Sequence, residues 1–149
     1  MHGVIIVSKT RLQLRKVEFV ENEEENKYQA TVLLRLGAND YIGQYEADRT
    51  ESPLRVIALA TFQGVNDALL SSINLSLKIT LRVAEEMKPA YMTKSLFIVI
   101  VDVVAGTFSF KPTGAVVAES HEVHRATAAA ALDSLNRLIQ HLLRINNFM

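Results

Sequence analysis

Cysteine is absent from this sequence. Its absence excludes disulfides, thiolate-bound metals and a cysteine nucleophile, and suits a reducing compartment such as the cytoplasm. An excess of charge is absent too, since 16 Lys and Arg balance 16 Asp and Glu. The chain as a whole therefore sets up no field toward nucleic acid or an anionic membrane. No uninterrupted apolar stretch reaches the roughly 18 residues of a bilayer span. The run Val4 to Val7 is too brief for a signal-peptide core. A phosphate-cradling glycine loop, a nucleophile elbow and an HExxH zinc motif are all missing. These absences predict a cytoplasmic protein with no cofactor and no membrane or nucleic-acid partner. Lys9, Arg11, Arg15 and Lys16 form a small basic cluster, but without the interleaved aromatics of a single-strand binder.

What remains is a chain of 149 residues, 49% hydrophobic, enough for one domain with a substantial core. The clearest strand signal is Leu75 to Val83, where Leu75, Leu77, Ile79, Leu81 and Val83 alternate with polar residues. Arg11 to Val20 alternates with a slip: Leu12 and Leu14 share one parity, Val17 and Phe19 the other. A bulge near Arg15 and Lys16 would reconcile them. The acidic Glu21 to Lys27 reads as a hairpin loop, followed by strands at Tyr28 to Gly37 and Asp40 to Asp48 around a turn at Gly37. Ser95 to Gly106 is a continuous β-branched run, which predicts a central strand covered on much of both faces. The next strand is broken at Lys111 to Gly114, because Pro112 cannot donate a ladder bond.

Two helices follow their strands. Ser52 offers a capping hydroxyl before Pro53 at the first helical position. Gly64 weakens this helix by roughly 1 kcal/mol relative to alanine, which a close approach to a sheet would explain. The second helix places Ser120 or His121 at its cap and Glu122 near its positive end. The helices also resemble each other. Arg55, Ala58, Ala60, Val65 and Asn66 match Arg125, Ala128, Ala130, Leu135 and Asn136 at a constant offset, and Gly43 and Gly114 each precede a helix. The order predicts an α+β domain of two βββα repeats, about 10–72 and 75–145, with both helices on one face of an antiparallel sheet.

At the second helix, Ala126-Thr127 and Leu135-Asn136-Arg137 resemble the closing helix of the C-terminal regulatory domain of 2-isopropylmalate synthase. Glu122-Val123 stands where that family has aspartate-isoleucine, and Ser52-Pro53-Leu54 loosely matches the glycine-proline-valine that opens its other helix. The resemblance implies a non-catalytic, dimerising module that binds an amino-acid effector. The family's glycine-x-glycine is Gly114-Ala115-Val116 here, and Arg55 or Val56 stands where an acid is expected. The synthase's catalytic barrel has no counterpart in the chain.

Candidate chemistry gathers at the helix entrances. Arg55 and Arg125 sit near positive helix ends, where an arginine needs an internal acid or an anionic ligand to offset the dipole. Asp48, Glu51, Glu119 and Glu122 could pair with them. With Gly43 and Gly114, the residues Asp48, Arg55, Glu119 and Arg125 make up the candidate ligand site. His121 and His124 share a helical face and are weak metal candidates. With Asp102, an acid inside an apolar strand, they are the groups an enzyme would use. Asn66 and Asn136 are poor helix formers in mid-helix, which predicts hydrogen bonds to facing backbone. The leading expectation is a regulatory, effector-binding homodimer without catalysis. An enzyme and a protein- or nucleic-acid-interaction module are the alternatives.

Overall fold

The computed structural model describes residues 11–146. Three antiparallel strands open the fold: β1 (Gln13–Asn22), β2 (Lys27–Leu36) and β3 (Asn39–Asp48), ordered β1-β2-β3, followed by α1 (Pro53–Ile73). The second half repeats the plan with β4 (Lys78–Met87), β5 (Ser95–Ala105), β6 (Phe108–Phe110), β7 (Thr113–Ala118) and α2 (Val123–Ile145). In this half β5 pairs with β4 on one side and with both β6 and β7 on the other. The fold is α+β, with strands and helices in βββα order. The expected single sheet is instead two sheets, one per repeat.

Each sheet turns one face toward the helices. Ala30, Val32, Leu34 and Leu36 of β2 are buried, as are Phe97, Val99, Val101 and Val103 of β5, so period-2 alternation supplies the core from both repeats. α1 lies on β2 and β3 and reaches β4; α2 lies on β5 and β7 and reaches β1; and the helices pack on each other. One hydrophobic cluster runs through both repeats. By length and mean hydropathy α1 could cross a membrane, but here it is a core helix, 56% of its apolar window being buried.

Both first strands carry a bulge at the same place. The ladder slips between Leu14 and Lys16 in β1 and between Leu81 and Val83 in β4. In β1 this lets Leu14, Val17 and Phe19 all pack against the core. In β4 it moves Val83 out of the parity of Leu81; the strand runs Lys78–Met87 instead of starting at Leu75, because the backbone of Leu77 is held by the Asn66 side chain. The hairpins repeat as well. Gly37 and Gly106 each hold φ of 62° at the first position of a two-residue turn, a conformation that glycine adopts without penalty.

The helices seat on glycines. A Cβ on Gly43 would run into the carbonyl oxygen of Ala60 and the amide of Gly64. A Cβ on Gly114 would meet those of Ala130 and Ser134 in the same way. The small residues of both helices thus let helix and strand backbones touch. Gly64 itself faces Leu34 and Gly43, so the close approach explains its place in a helix.

Helix entry differs from expectation. Pro53 is in the first turn of α1, but the Ser52 hydroxyl makes no capping bond; the proline ring alone pre-sets the backbone. A 3-10 turn, Ser120–Glu122, precedes α2, and Glu122 rather than Ser120 or His121 is the cap residue. The Ser120 hydroxyl is 2.8 Å from that of buried Ser95, which donates to Glu86 at 2.6 Å. It therefore ties the turn to β5 and β4.

Candidate functional site

The two helix-entrance arginines reach across the repeat boundary. Arg55 donates from Nη2 to the carbonyl of Leu81 at 3.5 Å, and Arg125 from Nη2 to the carbonyl of Leu14 at 3.3 Å. Leu14 and Leu81 are the residues just before the two bulges, where a ladder is disrupted and a carbonyl is open to another donor. Arg55 also pairs with Glu51 at 3.1 Å, one of the acids expected for it. The cross-repeat carbonyls were missed. Their signal was the shared Leu-Arg dipeptide, Leu14-Arg15 and Leu81-Arg82.

The other candidate ligand residues are dispersed. Gly43 and Gly114 lie beneath the helix backbones, Asp48 is exposed at the end of β3, and Glu119 is half-buried before the 3-10 turn. None of the six lines the groove between β6 and the second half of α2, or the smaller one between α1 and β4 at Asn66, Leu77 and Ile79. In the basic cluster, Lys16 pairs with Glu18 at 2.8 Å, which raises its pKa, while Lys9 lies outside the described residues.

The groups considered for acid-base chemistry stand apart. His124 packs its ring on Phe19 of β1, centroids 4.8 Å apart, and the accompanying burial lowers its pKa. His121 is exposed on the 3-10 turn. Asp102 alternates with buried Val101 and Val103, so it faces away from the helices, and there it pairs with Arg82 of the β4 bulge. Sheet and core therefore separate Asp102 from the histidines. Among the described residues no three His, Asp or Glu side chains cluster as metal ligands.

The outer sheet faces hold a stronger contrast. On the first sheet, paired rows run Lys16–Leu33–Ile42, Glu18–Thr31–Gln44 and Val20–Gln29–Glu46, with Arg35 paired to Asp40 beyond them. Val20 and Ile42, each 54% exposed, are the large apolar members of this face together with the half-buried Leu33 that pairs with Ile42. On the second sheet, the rows are Met87–Leu96–Val117, Glu85–Ile98–Ala115 and Val83–Ile100–Thr113. The run Leu96 to Val104 is covered on its helix side alone; its outward members Leu96, Ile98 and Ile100 are half-buried and Val104 is exposed. Once the bulges are aligned, Gln29, Thr31 and Leu33 correspond to Leu96, Ile98 and Ile100. Seating on the paired glycines aligns Gln44 and Glu46 with Ala115 and Val117. The first repeat carries polar residues at all of these positions but Leu33, so the fold does not require Leu96, Ile98, Ala115 and Val117 to be apolar.

A groove of about 870 Å³ lies between the second half of α2 and β6. Its walls are Phe108 and Phe110 on β6 and Leu138, Leu142 and Ile145 on α2, with Asp133, Asn136, Arg137 and His141 as polar members. The Asn136 Oδ1 is buried with no hydrogen-bond partner among the described residues. In the first repeat Asn66 holds the backbone of Leu77 at both ends, giving 2.9 Å and accepting 2.7 Å bonds. The expected backbone contact is thus seen for Asn66 and not for the Oδ1 of Asn136. Compared with known proteins, the chain matches no family model and no curated protein.

Proposed function

We propose that this chain is a non-catalytic regulatory and oligomerisation module that forms a homodimer through the outer face of its second sheet. One observation carries the reading: Leu96, Ile98 and Ile100 face outward where the equivalent strand of the other repeat presents Gln29, Thr31 and Leu33. Exposed apolar patches that the fold does not need mark interaction surfaces. A twofold axis lets one such face cover its own copy. The balance of 16 basic and 16 acidic residues puts no net repulsion between two copies. The likeness of Ala126 to Ile139 to the closing helix of the 2-isopropylmalate synthase regulatory domain supports the same reading, as does the absence of cysteine for a cytoplasmic setting.

Light scattering at tens of micromolar tests the proposal. Wild type should run at twice the monomer mass, Ile98→Lys should run as a monomer, and Thr31→Lys at the equivalent place on the first sheet should leave the dimer intact. A monomeric wild type, or an Ile98→Lys protein that stays dimeric, overturns it.

A further inference from the structure

The groove beside α2 lies where the second repeat departs from the first, at Pro112 and in a β5–β6 hairpin that runs two residues further than its β2–β3 counterpart. β3 runs unbroken from Asn39 to Asp48, and Tyr41 extends its hydroxyl to within 3.4 Å of the Ser72 hydroxyl on α1, closing that end of the sheet. In the second repeat Lys111-Pro112 splits the corresponding strand into β6 and β7. Proline has no N–H to continue the ladder and no ring long enough to reach α2 as Tyr41 reaches α1. β6 and β7 nevertheless keep one register along β5, and the hollow lies between β6 and the second half of α2.

The lining of this hollow has the chemistry of a ligand site. Phe108 and Phe110 stack in near-parallel planes, centroids 6.3 Å apart and 19° between rings, yet remain 67% and 39% exposed. Two exposed aromatics opposite Leu138 and Leu142 offer an apolar slot for a flat ring. Arg137 and His141, one helical turn apart on the rim, make no ion pair among the described residues. The guanidinium fork suits a carboxylate. Asp133 is the acid of the lining, and its Oδ2 accepts the Ala115 amide at 3.2 Å, which engages it with the sheet. The Oδ1 of Asn136 is a buried acceptor with no donor among the described residues. A volume of about 870 Å³ lies within the range of small-molecule sites.

We infer that this groove binds an aryl carboxylate that also carries a hydrogen-bond donor. The ring lies between Phe108, Phe110 and Leu138, the carboxylate is held by Arg137 with His141 beside it, and a hydroxyl or amine donates to Asn136. The inference rests on the effector-binding side of the proposed regulatory role, but the groove and the outer face of the second sheet are separate surfaces.

Calorimetric titration with three probes tests it: 4-hydroxyphenylacetate, phenylacetate and the uncharged phenylacetamide. Saturable binding is expected in the order given, with phenylacetamide at least tenfold weaker than phenylacetate because the arginine contact is charge-assisted. Arg137→Ala, an exposed position, should abolish the preference of phenylacetate over phenylacetamide, and Phe108→Ser should weaken all three probes. Equal affinity for phenylacetate and its amide overturns the inference, as does an Arg137→Ala protein that retains the preference. Absence of saturable binding overturns it too. A loss of dimer mass in Phe108→Ser would mean that a second copy occupies the groove, which also overturns it. Titrating Ile98→Lys in parallel separates the two proposals: binding by a monomeric protein supports the groove whatever becomes of the dimer, and binding lost with the dimer overturns an independent site.

Discussion

The two repeats share a backbone plan and differ in what they turn outward. Each has a bulge one residue after a leucine in its first strand, a glycine beneath its helix and an arginine that reaches the other repeat's bulge. The first repeat wets its outer face with Gln29, Thr31, Gln44 and Glu46 and closes its sheet end with Tyr41. The second keeps Leu96, Ile98 and Ala115 on its outer face and leaves its sheet end open at Pro112. What the repeats hold in common is what folding needs, because either copy would fail to seat its helix without it. What they do not share is free of that demand, and it is there that a partner face and a ligand groove are proposed.

The shared part should break alike in both halves. Gly43→Ala and Gly114→Ala each force a methyl into helix backbone that cannot yield locally. Each should cost about 3 kcal/mol, read as matching losses of midpoint in urea unfolding. Gly64→Ala should be far milder. Its Cβ would meet the Leu34 Cδ1 at 3.0 Å and the Gly43 amide nitrogen at 3.3 Å, looser than the contacts at Gly43 and Gly114, and the gain in helix propensity of about 1 kcal/mol opposes the strain. Unequal costs at Gly43 and Gly114 would mean that the two helix seats are not equivalent.

The next comparison should separate the halves. Asn66→Ala removes both bonds to Leu77 and leaves that backbone unpaired, a loss of about 1–3 kcal/mol. Asn136→Ala deletes an oxygen that has no partner among the described residues and should change stability by less than about 0.5 kcal/mol. Chemical denaturation of the two variants side by side measures the difference. Equal losses would show that Asn136 is held as firmly as Asn66.

Much of this division was legible in the sequence. The acidic loop and the turn at Gly37 located β2, the parity slip at Arg15 foretold the β1 bulge, and Pro112 marked the broken strand, because each feature follows from local backbone chemistry. The twin spacing of Arg55 with Asn66 and Arg125 with Asn136 announced the repeat. Other features depend on partners remote in sequence. Clean alternation through Val83 hid the β4 bulge, since a bulge is set by register against β5 rather than by the strand alone. The hydrophobic run of β5 suggested cover on both faces, but hydropathy cannot say whether the second cover comes from the same chain. The proposed groove was invisible because Phe108 and Phe110 meet Arg137 only once β6 pairs with β5 and α2 packs across that sheet.

A smaller asymmetry concerns the arginines. Arg55 has both Glu51 at 3.1 Å and the Leu81 carbonyl, whereas Arg125 has the Leu14 carbonyl. Both side chains are partly in water, where such pairs are worth about 1 kcal/mol or less. Arg55→Ala should therefore lower stability more than Arg125→Ala, each by under about 1 kcal/mol in urea titration. High salt should narrow the gap, since screening weakens the Glu51 pair and leaves the bonds to neutral carbonyls almost untouched.

The smallest expected effect tests the helix entrances through pH. Leu54 and His124 occupy equivalent positions, each one residue before the matching arginine of its helix, so of the two entrances the second alone has a histidine at this place. Burial against Phe19 lowers the His124 pKa from 6.5, which means the folded protein favours the neutral ring more than the unfolded chain does. The contribution of this group is therefore present above pH 6.5 and lost as pH falls through the lowered folded value. Melting temperature should drop more between pH 7.5 and pH 5 in wild type than in His124→Leu, which gives the second entrance the side chain of the first. A leucine variant with the same pH slope as wild type would place the acid sensitivity elsewhere and leave the two entrances equivalent in this respect.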